Sequence, residues 1–212
     1  MIAQVRRALG CMSLVLLVGC TRRAEVGSDP PLDGGSTCAS AAPFPLYYWA
    51  ARSEDTTELI DFLVKVENRS GAAVSLSTFS VRYYFTNELT EPATLDVYYS
   101  DTCCSNKISF DDQVLTSVRS VSSARADSYF EIGFDESVGE LAPGDAVQVE
   151  IGYHDAAFVS RSNQSNDYSF LATATGTQLD WDACPGPACA PAFTNCALTV
   201  HQAGVRVWGT PP

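Results

Sequence analysis

The sequence predicts an all-β fold in which two antiparallel sheets pack face to face as a β-sandwich. From Leu59 onward, apolar and polar residues alternate along short runs, which is the period of a half-buried strand. β-branched and aromatic residues dominate these runs, and no window has the spacing of an amphipathic helix. Many half-buried strands in one exported domain predict two packed sheets.

Four runs carry this alternation, and turn-forming segments separate them. The turns are NRSG, LAPGD and NQSND, whose Asn, Gly, Pro and Asp residues favour tight reversals. Near the end of the chain, LTVHQAGVRVWG predicts a hairpin that turns at residues 202–204. In each run the apolar residues share one predicted face, which should line the core: Ile60, Phe62, Val64 and Val66; Phe79, Val81, Tyr83 and Phe85; Phe130, Ile132 and Phe134; Val147, Val149, Ile151 and Tyr153.

The first nineteen residues, 1–19, predict an export signal that is removed from the mature protein. Arg6 and Arg7 form a positive start, an apolar run follows, and Leu17-Val18-Gly19-Cys20 matches a bacterial lipobox. The apolar run is too short to span a bilayer. We therefore expect lipidation of Cys20, with an ordinary secretory signal cut elsewhere as the alternative. In both cases the chain leaves the cytoplasm, and a lipid on Cys20 would hold it to a membrane of the cell envelope.

Residues 20–42 predict a flexible tether between the lipid and a folded domain at residues 43–212. The tether is rich in Gly, Pro, Ser and charged residues and has almost no large apolar side chain. Such a composition cannot bury enough surface to offset the entropy of ordering. The remaining residues suffice for one good core and are too few for two large domains.

The acidic balance of the chain argues against nucleic acid as a partner. The formal net charge is −12, and removal of the two leader arginines makes it −14. Nucleic-acid binding depends on Lys and Arg, which release counterions from the phosphates. Excess carboxylate usually favours solubility, and it also suits divalent cations.

Six cysteines follow Cys20, and an even number in an exported chain predicts disulfides. Zinc is disfavoured, because there is no CxxC pair and the chain has only two histidines. The insertion CPGPACAPAFTNC predicts a stapled, rigid loop. A bridge within it would leave one cysteine for a partner such as Cys103 or Cys104. The candidates are Cys38, Cys103, Cys104, Cys184, Cys189 and Cys196.

The sequence shows no catalytic motif, so it predicts a protein that is not an enzyme. The patterns GxSxG and HExxH and a phosphate-binding glycine loop are absent. His154 and His201 lie on strand-like runs, where a single histidine is more often a surface or core residue than a general base. A small glycosidase is the alternative, because the many carboxylates could supply a catalytic pair.

Several motifs follow one another toward the C-terminus: NQSNDYSF, then LDWD, then LTVHQAGVRVWGTPP. Together they resemble the end of a family 3 carbohydrate-binding module, the cellulose-binding domain of cellulosome scaffolds and cellulases. Upstream, IDFLVKVENRSGAAVSLSTFSVRYYFT, ADSYFEIGF and LAPGDAVQVEIGY are similar to the opening and centre of that family. The resemblance covers residues 58–212 and implies a jelly-roll β-sandwich of about nine strands.

The resemblance also implies a structural calcium ion that cross-links two loops. Its ligands would come from Thr86 and Glu88 after the RYYF strand, and from Asn163, Asn166 and Asp167 in the NQSND loop. Calcium takes six to eight oxygen ligands, which two oxygen-rich loops can supply. Glu88 stands where the family usually has Asp. A turn held by Asn and Asp hydrogen bonds is the alternative for the NQSND loop.

For carbohydrate, the resemblance implies a flat strip of aromatic and polar side chains on one sheet. Tyr99-Ser100-Asp101-Thr102 stands where the family has Trp-Cys-Asp-His, so Asp101 is kept and Thr102 replaces the histidine. The strip arginine falls near Tyr153 and the strip tryptophan near Phe158. Tyr99, Tyr153 and Phe158 could form a substitute platform, although aromatic residues on a sandwich are more often core or scattered surface residues.

These features predict a non-catalytic module, displayed on the cell surface as a lipoprotein, that binds cellulose or a related polysaccharide and holds calcium. The alternative is a surface interaction or structural lipoprotein that keeps the sandwich and has lost cellulose binding. The expected partners are a polysaccharide, the membrane through Cys20, and a separate glycoside hydrolase or surface protein.

Overall fold

The computed structural model describes residue 38 and residues 41–89, 92–103, 108–174 and 193–212. The predicted leader, Cys20 and most of the predicted tether lie outside these residues. So do Cys104, Cys184, Cys189 and the side chain of Cys103. In the described part, we find no helix with the length and apolar character that a membrane span requires.

Strands dominate the described residues, and the helical segments among them are five single 3₁₀ turns. Nine strands have four or more residues, in agreement with the number that the family resemblance implies. In chain order the strands are β1 (Leu46–Ala50), β2 (Thr56–Thr57), β3 (Ile60–Glu67), β4 (Val74–Ser75), β5 (Phe79–Phe85), β6 (Ala93–Cys103), β7 (Ile108–Ser109), β8 (Val114–Ser120), β9 (Ser128–Phe134), β10 (Glu140–Leu141), β11 (Ala146–Asp155), β12 (Ser162–Asn163), β13 (Phe193–Thr194), β14 (Thr199–Gln202) and β15 (Val205–Trp208).

The strands form two main antiparallel sheets, and this confirms the predicted β-sandwich. The six-stranded sheet has the order β13-β1-β3-β11-β6-β7, and the five-stranded sheet has the order β15-β14-β5-β9-β8. Strands distant in sequence are neighbours in both sheets. Examples are β3, β11 and β6 in the six-stranded sheet and β14, β5 and β9 in the five-stranded sheet. Two short ribbons, β10-β4 and β12-β2, join connecting segments at the margins.

The core is built from the alternating residues of both sheets, as predicted. Successive side chains of a strand point to opposite faces, so every second residue enters the core. Phe62 stacks on Tyr83 with ring centroids 4.6 Å apart, and Phe85 stacks on Phe130 at 4.1 Å. All fifteen residues assigned to the core face by the four runs are buried.

The C-terminal hairpin turns at Ala203 and Gly204, within the range predicted for it. Both residues have positive φ, 48° and 77°. Two positive values in a two-residue loop define a type I′ turn, whose twist matches that of the flanking strands. Because Gln202 pairs with Val205, β14 and β15 follow without a break in register at the turn.

Candidate functional site

The side of the six-stranded sheet that points away from the core is called the outer face below. Strand register places its residues, because directly paired residues of neighbouring strands project to the same side. Trp49 pairs with Leu63, Leu63 with Glu150, and Glu150 with Tyr99. The outer face comprises Tyr47, Trp49, Asp61, Leu63, Lys65, Asp96, Tyr98, Tyr99, Asp101, Gln148, Glu150, Gly152 and His154.

Tyr98 lies on the outer face because β6 contains a bulge. Glu150 pairs with Tyr99 and the next residue of β11, Ile151, pairs with Val97, so Tyr98 is an extra residue. A bulge redirects one side chain and leaves it outside the ladder. The Tyr98 ring lies over Gly152, where a Cβ would collide with it. Glycine at 152 therefore leaves room for the Tyr98 ring close to the backbone of β11, and 43% of Tyr98 is exposed.

Tyr99 is held by buried polar groups on its own sheet. Its hydroxyl donates to the Asp101 carboxylate and accepts from Gln148 Nε2 at 3.4 Å. Asp101 and Gln148 are 0% and 1% exposed. Asp101, predicted as a direct carbohydrate ligand, is thus too deep for that role and instead positions the half-buried Tyr99.

Phe158 is a half-exposed ring carried by the loop after β11. It stacks on the His154 imidazole with ring centroids 3.7 Å apart and planes 15° apart. The imidazole is fixed in turn, with Nε2 3.0 Å from Asp96 Oδ2 and Nδ1 2.6 Å from the Asp155 carbonyl oxygen. Phe158 has φ of 54°, which is unusual for a residue other than glycine. The ring is therefore held parallel to a support on the sheet.

Asp155 shapes the loop that presents Phe158. Its carboxylate accepts hydrogen bonds from three backbone N–H groups, those of Ala157, Val159 and Ser160, at 2.9, 3.1 and 2.6 Å. A side-chain hydrogen bond from Ser160 is the largest cause that holds the pKa of Asp155 well below its usual range, and the three backbone bonds act in the same direction. Because three backbone N–H groups donate to one carboxylate, Asp155 holds the loop in place at the end of β11.

Two predicted carbohydrate residues are wrong, because alternation places them on the core side of the sheet. Tyr153 is 3% exposed and packs against Phe85 and Phe130, with ring centroids 5.4 and 4.8 Å apart. Thr102 pairs with Val147, a core residue, and therefore projects to the same inner side. Phe158 and Tyr99 remain from the predicted platform.

Four aromatic residues of the outer face are absent from the predicted carbohydrate platform: Tyr47, Trp49, Tyr98 and His154. Trp49 alternates with the buried Leu46, Tyr48 and Ala50 along β1, a signal the sequence carries in LYYWA. His154 is the outward neighbour of Tyr153 and could have been found from the same alternation. Tyr98 depends on a bulge, which no periodicity reveals.

The predicted calcium residues form one hydrogen-bonded cluster made by two loops. Glu88 joins the loops, because its carboxylate accepts from the Asn163 N–H at 2.5 Å and from Asn166 Nδ2 at 2.9 Å. The Thr86 N–H donates to Asp167 Oδ1 at 2.9 Å. Residues that are some 80 positions apart in the chain thus meet.

Asp167 is the buried member of this cluster, with 6% exposure. Burial raises its pKa to about 8, and the nearby Glu88 carboxylate acts in the same direction. A buried carboxylate gains more from a cation than an exposed one does. The described residues contain no group of three or more His, Cys, Asp or Glu side chains that could hold a metal. A cation here would rely on the carboxylates of Glu88 and Asp167 together with amide, hydroxyl and main-chain oxygens, a donor set that suits calcium.

One disulfide joins the predicted tether to the sandwich. Cys38 and Cys196 are bonded, with their Cα atoms 5.6 Å apart. The partner of Cys196 is therefore Cys38, and the expectation of Cys103 or Cys104 is wrong for this cysteine. The reason is local geometry: Cys196 lies between β13 and β14, and β13 pairs with β1, the first strand after Cys38.

The sequence profile described as a cellulose binding domain matches residues 46–209. The chain therefore belongs to this family of carbohydrate-binding modules, and the resemblance found in the sequence is confirmed. The prediction that the chain is not an enzyme is confirmed as well, because the family is one of non-catalytic modules.

Individual relatives show the same kinship. Endoglucanase 5 of Pectobacterium carotovorum is 27% identical over 168 residues, which is 79% of this chain and 29% of the endoglucanase. Cellulosomal-scaffolding protein A of Acetivibrio thermocellus is 30% identical over 171 residues, which is 78% of this chain and 8% of the scaffolding protein. Among solved structures, the CBM3a-L domain of a Clostridium thermocellum cellulosome scaffoldin has a TM-score of 0.67 at 27% identity, covering 81% of this chain and 92% of that domain. This chain thus corresponds to a small part of the endoglucanase and of the scaffolding protein, and to nearly all of the solved domain.

Proposed function

We propose that the outer face binds cellulose or a related β-1,4-linked polysaccharide. The observation that carries this proposal is the Phe158 ring, 48% exposed and stacked flat on His154. The faces of pyranose rings carry C–H groups, and they stack on aromatic rings through dispersion and burial of apolar surface. An exposed ring that the fold supports from beneath is ready for such a contact.

Further aromatic and polar groups on the same face support the proposal. Tyr98 adds a second exposed ring, and Tyr99 and Trp49 add partly exposed ones. Asp61, Asp96 and Glu150 lie between them and offer carboxylate oxygens as acceptors for sugar hydroxyls. The relatives named for cellulases and cellulosome scaffolding point to the same class of ligand.

We propose that calcium binds at the cluster of Thr86, Glu88, Asn163, Asn166 and Asp167 and stabilises the two loops. The support is the set of hydrogen bonds that brings the Glu88 and Asp167 carboxylates together with the two loops, and the burial of Asp167. Calcium would supply positive charge to two carboxylates. The residues themselves would orient the loops and keep Asp167 away from water.

For the whole protein, we propose a lipoprotein of the cell envelope, anchored through Cys20 and displayed outside the cytoplasm. The lipobox motif supports the anchor, and the similarity to a cellulosomal scaffolding protein supports export. A separate glycoside hydrolase that acts on the same polysaccharide is the partner we favour for a non-catalytic module.

Depletion from solution by insoluble polysaccharide tests the carbohydrate proposal. The mature protein should be removed from the supernatant by microcrystalline cellulose, and the bound fraction should follow a saturable isotherm. Chitin and soluble glucans, offered in the same assay, define the range of ligands. Recovery of all protein in the supernatant with every glycan, together with specific capture of a protein partner, would favour the interaction lipoprotein instead.

A further inference from the structure

Three carboxylates of the outer face lie around the Tyr98 ring. Gly152, beneath that ring, pairs with Asp61 on β3 and with Asp96 on β6. Glu150 lies two residues before Gly152 on β11. Strands are about 4.8 Å apart, and alternate residues of one strand are about 6.8 Å apart, so three carboxylates surround one position of the sheet.

Positive charge near Tyr98 is smaller than this negative charge. The charged groups that act on the Tyr98 hydroxyl are Asp61, Asp96, Glu150 and one guanidinium, that of Arg52. Asp96 has a partner already, His154 at 3.0 Å. The Arg52 guanidinium acts on Asp61, and neither Asp61 nor Glu150 forms an ion pair within the described residues.

Some polar atoms of the outer face also lack hydrogen-bond partners within the described residues. Asp61 Oδ1, next to Gly152 in the sheet, is buried and makes no hydrogen bond there. The same holds, farther along the face, for Trp49 Nε1 and for Oε1 of Gln148, a side chain that is 1% exposed. Burial raises the pKa of Asp61 and of Glu150, and for Glu150 the Asp61 charge adds to the effect. Buried polar groups without partners are costly, and a ligand that supplies partners gains the corresponding free energy.

We propose that this part of the outer face selects a cationic β-1,4-linked amino-polysaccharide, a polymer of glucosamine, over neutral cellulose. The inference rests on the proposed function, since it uses the same aromatic platform. A glucosamine polymer has the flat chain of cellulose, with an ammonium group in place of one hydroxyl on every ring. The ring faces would stack on Tyr98 and Phe158, and the ammonium groups would lie among Asp61, Glu150 and Asp96.

Calorimetric titration of the mature protein with three soluble hexamers tests this inference. The hexamers are those of glucosamine, of N-acetylglucosamine and of glucose, and they share the β-1,4 linkage. At low ionic strength we expect the glucosamine hexamer to bind about tenfold more tightly than the glucose hexamer, which corresponds to about 1.4 kcal/mol. The N-acetylated hexamer, which lacks the charge, should have no such advantage. Added salt should reduce the advantage, because screening weakens exposed ion pairs.

Two charge-removing variants separate a local effect from the overall acidity of the chain. Asp61→Asn combined with Glu150→Gln should abolish the preference for the glucosamine hexamer over the glucose hexamer. The control, Glu136→Gln combined with Glu140→Gln, removes the same charge at exposed positions on the β9–β11 connection and should keep the preference.

Each other outcome overturns the inference. Equal affinity for the glucosamine and glucose hexamers in the wild-type protein contradicts it and leaves the proposed function intact. If the control double variant loses the preference for the glucosamine hexamer to the same extent, the preference comes from the overall charge of the chain and not from this part of the outer face. Absence of binding to every hexamer and to insoluble glycans contradicts the proposed function as well.

Discussion

The Phe158 ring stacks on the His154 imidazole at 3.7 Å, and this pair joins a surface loop to the sheet beneath it. His154 belongs to β11, and Phe158 belongs to the loop that Asp155 pins through three backbone hydrogen bonds. A rigid strand thus supports an exposed ring. Because the ring is already held in place, less conformational entropy is lost when a ligand binds to it.

Phe158→Ala should weaken binding to microcrystalline cellulose by about tenfold, because truncation of a central aromatic contact typically costs 1–2 kcal/mol. The Kd from depletion isotherms measures the effect. Val159→Ala is the matched control, since Val159 is the neighbouring residue and is 71% exposed. The melting temperature of both variants should stay close to that of the wild-type protein. Equal binding by Phe158→Ala and wild-type protein would remove Phe158 from the platform.

Asp155→Asn should destabilise the loop and change the dependence of stability on pH. The folded protein lowers the pKa of Asp155, so its contribution to stability is present above the ordinary aspartate value and is lost as the pH falls through the folded value. We expect a lower melting temperature at pH 7 and a shallower decline below pH of about 4. Thermal unfolding of both proteins from pH 7 to pH 2 measures this, and parallel curves would contradict the role of Asp155.

Removal of calcium should lower the melting temperature of the mature protein. A ligand that binds only the folded state at a hundred times its Kd stabilises that state by about 2.7 kcal/mol. Addition of EGTA, followed by excess calcium, should produce a reversible shift in a thermal scan. Asp167→Asn should respond to neither addition. Asp135→Asn, which alters an exposed carboxylate that caps a 3₁₀ turn elsewhere, should respond like the wild-type protein. Identical scans with and without EGTA would argue against the calcium proposal.

Cys38→Ser should destabilise the sandwich, because the Cys38–Cys196 bond closes a loop with a sequence separation of 158. In the chain-entropy account, a loop of this length contributes about 5 kcal/mol. Chemical denaturation measures the free energy of unfolding for the variant and for wild-type protein under oxidising conditions. Addition of a reducing agent should lower the free energy of unfolding of the wild-type protein toward that of the variant. A variant as stable as the oxidised wild-type protein would show that the bond adds nothing.

Most of the fold follows from periodicity, which the sequence displays directly. The core residues of β3, β5, β9 and β11 come from alternation alone, and the Ala203-Gly204 turn comes from its position between two such runs. The short ribbons and the path of the chain between sheets depend on contacts between distant segments. Alternation within one strand carries no information about them.

The site was harder to predict, and the errors have particular causes. The family pattern places Tyr153 on the platform, although its own alternation with Val149 and Ile151 places it in the core. Tyr98 reaches the outer face through a bulge, and Gly152 matters because it leaves room for that ring. The acidic surroundings of Tyr98 arise from three strands, so they become visible only when the register is known.

The most direct test of the central claim is a set of depletion isotherms on microcrystalline cellulose for variants of the two sheets. The double variant Tyr98→Ala with Phe158→Ala removes the exposed rings of the outer face. Tyr129→Ala removes an aromatic residue of β9, in the five-stranded sheet, where it contacts Arg82 and Tyr84. We predict that the double variant loses binding and that Tyr129→Ala binds like the wild-type protein. Loss of binding with Tyr129→Ala and full binding by the folded double variant would contradict the assignment of the outer face.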